Sequence, residues 1–122
     1  GRDTQRGQVN GFELEQNYPN PFNPHTTIPF ILGEGLFVGG GSAVVSLRIF
    51  NILSQLVAHP VALRHPAGEG LELIQLEYAQ PGRYEAYWDG TDQEGRQVAS
   101  GMYFMQLTVN GQTIVKRMYV LK

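Results

Sequence analysis

Three acidic side chains, Asp89, Asp92 and Glu94, fall close together and are followed by Gly95. Carboxylates that near could hold a calcium ion, which takes roughly six to eight oxygens in regular placement and a closing acid. The spacing does not reproduce the EF-hand pattern. The preferred reading is structural: Asp89-Gly90 and Glu94-Gly95 form turns, with aspartates capping backbone N–H groups. Asp89, Asp92 and Glu94 remain the calcium candidates, and no other metal site is expected. His25, His59 and His65 lack close metal spacing, and two of them directly precede proline; zinc needs several convergent ligands. Ser46, Ser54 and Ser100 sit in no G-x-S-x-G elbow. Gly39-Gly40 precedes no helix and so builds no phosphate cradle. The chain has no cysteine, which removes disulfides, thiolate metal sites and cysteine nucleophiles. A glycosidase carboxylate pair is set by the fold rather than by spacing, and nothing here favours one. The residues therefore point to a non-catalytic protein with no cofactor.

The elements that would position these residues are strands. The 122 residues fit one domain. With 42% hydrophobic and 16% charged residues, the chain is globular. A net charge of −2 gives no reason to expect nucleic acid as a partner. No apolar run is long enough to be a transmembrane segment. Val45, Leu47 and Ile49 alternate with Ser46 and Arg48; Tyr103, Met105, Leu107 and Val109 alternate with Phe104, Gln106 and Thr108. Ile114, Lys116, Met118 and Val120 share a face opposite Arg117. Thr26–Leu32, Leu71–Tyr78 and Arg83–Trp88 are further strands. Asn110-Gly111 predicts a hairpin, Pro81-Gly82 another turn, and Gly39 to Ser42 a flexible loop. Asn51–Leu56 is the one helix-like stretch. Short strands punctuated by turns predict an all-β, immunoglobulin-like antiparallel sandwich of about seven strands. The polar residues 1–11 read as a linker, with the domain spanning 12–122.

Gln16 to Pro24, QNYPNPFNP, is the unusual stretch. Each proline fixes φ and lacks an N–H, and each residue before it is pushed out of the helical region. The segment can neither form a helix nor extend a sheet. Asparagine side chains can replace the lost ladder bonds, leaving Tyr18 and Phe22 to plug apolar surface. It is expected to close one end of the sandwich and lead into the Thr26 strand. Trp88 is expected as a core anchor, and Tyr87 and Phe104 as the aromatics best placed to stack on a sugar.

Phe12 to Ile28, with Asn17, Pro19, Pro21, Phe22 and Pro24 in order, resembles the opening of the type A C-terminal sorting domains of the type nine secretion system of Bacteroidetes. Leu47 to Ala58 is similar to that family's strand and "YNxLGQxV" segment, with Ser54 where glycine is usual. Trp88 to Tyr103 resembles its "WDGxDxxGxxVxSGxY" block through Trp88, Asp89, Gly90, Asp92, Gly95 and Gly101. That block is shared with the immunoglobulin-like domain of flagellar hook-capping proteins. Lys116 to Lys122 resembles the terminal "KKMxLLK". Two stretches, Gly33–Ser42 and His59–Gln80, are longer than the family pattern.

The resemblance implies a targeting module of a larger exported protein. It would be read by an outer-membrane translocon, linked to surface-attachment machinery, and located at the cell surface or secreted. Lys116, Arg117, Met118, Val120, Leu121 and Lys122 are then the candidate recognition residues, with β-augmentation of the last strand as one mode and edge protection by charge as the other reading of the same residues. The alternatives are a carbohydrate-binding module with a polysaccharide partner, and a passive immunoglobulin-like spacer.

Overall fold

The computed structural model describes residues 11–122. The linker expected at 1–11 lies, apart from Gly11, outside the described residues. Among them are nine strands: β1 (Phe12–Leu14), β2 (Thr26–Leu32), β3 (Ala43–Phe50), β4 (Leu56–Ala58), β5 (Val61–Ala62), β6 (Leu76–Tyr78), β7 (Gly82–Trp88), β8 (Gly101–Val109) and β9 (Gln112–Val120). They form two antiparallel sheets, ordered β1-β2-β7-β5 and β4-β3-β8-β9, with β6 also pairing with β3. These orders are the A-B-E-D and C′-C-F-G sheets of an immunoglobulin-like sandwich.

Period-two burial explains why these stretches are strands. Val45, Leu47 and Ile49 on β3, Met105 and Leu107 on β8, and Met118 on β9 turn into the core, where they meet Ile28, Phe30 and Leu32 of β2. Burying each such side chain contributes about 1.5–3 kcal/mol before chain entropy is counted. Tyr103, near the start of β8, donates its hydroxyl to the Ala99 carbonyl at 2.8 Å. This is the tyrosine corner of immunoglobulin sandwiches. Two residues on, where antibody domains carry an inter-sheet cysteine, stands the fully buried Met105.

The count exceeds seven because two short strands, β4 and β6, finish one sheet edge. β4 and β6 lie end to end along one edge of β3, pairing with Ile49–Phe50 and Ala43–Val45 respectively. Only Leu76–Tyr78 of the expected 71–78 strand is a strand. Before it, Leu73 is fully buried, donates its N–H to Pro60 and accepts from the Leu47 N–H. The chain there crosses between the sheets instead of running along one. Asn51–Leu56 is not a helix but a turn leading into β4 at Leu56: the Asn51 carboxamide oxygen accepts from Leu53 N and Gln55 N, each at 2.9 Å. The loop expected at 39–42 is partly ordered, since Glu34–Gly40 is a kinked 3-10 segment with Leu36 and Phe37 packed on the core.

Candidate docking surface

The three sequence blocks that flank the sandwich meet in space. Phe22 is buried edge-on to Trp88 at 5.4 Å, and Trp88 lies 6.0 Å from Tyr103. The Trp88 indole N–H donates to Thr91 O at 2.9 Å. Gly90 adopts φ +80°, and a Cβ placed there would stand 2.3 Å from the Pro24 carbonyl oxygen. Only glycine admits that approach. Asn17 is buried, and its amide donates to Pro19 O and Thr26 Oγ1. The three X-Pro bonds of the segment, at Pro19, Pro21 and Pro24, are cis.

The proline segment also covers part of the outer edge of β9. Phe22 bridges Val120 in parallel; its N–H donates to Tyr119 O at 3.1 Å, and its carbonyl accepts from Leu121 N at 3.0 Å. Asn20 Oδ1 accepts from Tyr119 N, and Gln16 Nε2 donates to Arg117 O. Residues 117, 119 and 121 thus direct backbone groups outward. By the alternation of an antiparallel ladder, Thr113 and Val115 do the same. β-Augmentation of the whole terminal strand is therefore excluded in this state. Its 117–121 end is already paired through Asn20 and Phe22, and among the described residues no strand pairs with its outer edge around Thr113 and Val115. Phe22 plugs apolar surface as expected; Tyr18 does not. Tyr18 is exposed, and its phenol donates to Glu85 at 2.5 Å.

Of the six candidate recognition residues, Met118 and Val120 are buried and Lys116 half-buried. Arg117, Leu121 and Lys122 are exposed. Tyr119 and Val115, absent from the expected set, are exposed beside them, at 42% and 51%. Their alternation with Arg117 was the signal that could have placed them. Across the outer face, Phe50, Phe104 and Arg117 fall in one register row, and Arg48, Gln106 and Val115 in the next. A shallow groove of about 320 Å³ lies among Phe50, Ser54, Phe104, Gln106 and Val115. Ile52 and Leu53 stand exposed near it. The surface is apolar with cationic side chains, in a protein whose net charge is −2.

The acidic cluster is committed locally. Asp89 Oδ1 accepts from the Thr91 N–H and hydroxyl. Asp92 Oδ1 accepts from Glu94 N and Arg96 N, and these backbone bonds, that from Arg96 first, hold its carboxyl below the usual range. Glu94 pairs with Arg96. No group of three or more His, Cys, Asp or Glu among the described residues is arranged to hold a metal ion. Tyr87 faces outward but is half-buried against His25 at 5.6 Å. No helix among the described residues is long and apolar enough to cross a membrane.

The same fold occurs in PorZ. PorZ is an essential bacterial surface component of the type-IX secretion system of human oral-microbiomic Porphyromonas gingivalis. Its solved structure matches this chain with a TM-score of 0.52 and 19% identity, over 95% of this chain and 12% of PorZ. The likeness is one of fold, to a small part of PorZ. No family model matches the sequence, and no curated protein matches it.

Proposed function

We propose that this domain is a non-catalytic C-terminal sorting module that directs a larger protein across the outer membrane and to the cell surface through type nine secretion. The observation that carries the reading is the convergence of the QNYPNPFNP, WDG and terminal blocks around Phe22, Trp88 and Val120. Residues that resemble a sorting domain in order along the chain also work as one unit in space. The fold shared with a surface component of that system is in keeping with this role. The recognised surface would be Val115, Arg117, Tyr119, Leu121 and Lys122, with Met118 and Val120 holding the strand in place from beneath.

The test is a fusion of residues 1–122 behind a periplasm-directed fluorescent reporter in a host with this system. Export should require the translocon and should fall severalfold in the Arg117→Glu/Tyr119→Ala double variant, whose side chains are exposed. Periplasmic retention of the folded wild-type fusion would sink the reading. Equal export without the translocon would do so too.

A further inference from the structure

The two stretches longer than the family pattern meet at a pocket that the docking surface does not use. It measures about 600 Å³, within the range of small-molecule sites. Ser42, at the end of the first stretch, donates its hydroxyl to Glu77 of the second at 3.5 Å, and His65, Pro66 and Gln80 of the second line the pocket with them, with Tyr84 of β7 in the wall.

The chemistry of the wall narrows the ligand. His65 Nδ1 accepts from the Ala67 N–H at 3.0 Å, so Nε2 carries the proton and donates to Glu77 O at 2.7 Å. Both ring nitrogens are therefore engaged within the protein. No lysine or arginine lines the pocket, and Glu77 is its one carboxylate. An anionic ligand would find no counter-charge. A cationic ammonium would want an open aromatic cage. Here Tyr78, against Tyr84 at 4.5 Å and edge-on to His65 at 4.7 Å, is only 3% exposed, so it offers no open ring face to a cation. What remains is apolar surface from Pro66, Ala67 and Tyr84, rimmed by a carboxylate, an amide and a hydroxyl. The buried Tyr78 hydroxyl, in the same wall, has no hydrogen-bond partner among the described residues. Buried polar groups without partners are uncommon. Apolar surface with mixed donors and acceptors at its rim matches a neutral pyranose, whose ring carries an apolar C–H face and equatorial hydroxyls.

We infer that the pocket between Ser42, Glu77, Gln80 and Tyr84 binds a neutral sugar unit of a glycan. The site is independent of export and stands or falls separately from it. Glu77 would accept a pair of sugar hydroxyls, Gln80 would donate and accept at the rim, and the ring's C–H face would lie over Tyr84 and Pro66.

The experiment is a titration of the isotope-labelled chain with cellobiose, maltose and mannobiose, followed by amide NMR shifts. Tetramethylammonium serves as the cationic control. At least one sugar should give saturable shifts confined to Ser42, His65, Ala67 and 77–80, with millimolar affinity. Glu77→Gln and Gln80→Ala, both at exposed positions, should each weaken binding about fivefold, the size of one lost hydrogen bond, with the melting midpoint unchanged. The proposal is overturned if no sugar gives saturable shifts there by ~50 mM, a limit weaker than any useful site. It is equally overturned if tetramethylammonium shifts those amides more strongly, or if both variants bind as the wild type does.

Discussion

Ser54 shows how one residue can work against the turn it occupies. It adopts φ +63° in the Asn51–Gln55 turn, a region where a side chain costs about 1–2 kcal/mol and glycine costs little. Ser54→Gly should raise unfolding free energy by about 0.5–1 kcal/mol, the gain being reduced by the greater freedom of glycine in the unfolded chain. Denaturant midpoints measure this, and an unchanged or lower midpoint would contradict it. Gly90 is the opposite case, since the Pro24 carbonyl occupies the space a side chain would need. Such constraints were partly legible in the sequence. Asp-Gly and Glu-Gly pairs read as turns, and Trp88 as an anchor, because local chemistry dictates both. The Gly90–Pro24 approach and the exposure of Tyr18 were not legible, because each depends on a partner far along the chain.

At the scale of elements, β9 is a strand with two kinds of edge. The Tyr119 and Leu121 amides donate to the proline segment, whereas the Val115 amide points outward beyond it. Hydrogen exchange should therefore be slow at Tyr119 and Leu121 and fast at Val115. Asn20→Ala should speed exchange at Tyr119 about five- to tenfold, the value of one hydrogen bond, and leave Val115 as it was. Uniform exchange along β9 would show that the segment does not guard it. The strands β3, β7, β8 and β9 were readable because one face of each is buried, which imposes period two on the sequence. Leu71–Gln75 misled because Leu73 is buried by spanning both sheets, a tertiary fact with no local signature. Asn51–Leu56 misled because Ile52, Leu53 and Leu56 suggest a helical apolar face, yet Ile52 and Leu53 are exposed on a turn and Leu56, also exposed, begins β4.

For the whole molecule, ionised groups tie distant segments of the four-stranded sheet. Glu85 accepts from Tyr18 of the proline segment and from Arg64 of the long loop, and pairs with Arg83, which also pairs with Glu15. The Tyr18 hydrogen bond first, then that from Arg64, lowers the Glu85 carboxyl pKa. A carboxylate held lower in the folded than in the unfolded state stabilises above its unfolded pKa, and that gain is lost as pH falls through the folded value. Stability should therefore decline below about pH 4.5, the ordinary value for a glutamate carboxyl. Glu85→Gln should flatten that acid limb while lowering the neutral plateau. Thermal melts between neutral pH and pH 3 check this, and parallel limbs for the two proteins would contradict it. The bridge from Phe22 to Val120 has a mechanical meaning as well. The two segments run parallel, so a pull on the tail opposed at the start of the domain would load the bonds of Phe22 to Tyr119 and Leu121 side by side, in shear. They would have to fail together instead of unzipping in turn. The proline segment is thus a clasp, and traction on the end of the chain would reach the core only after the clasp had opened.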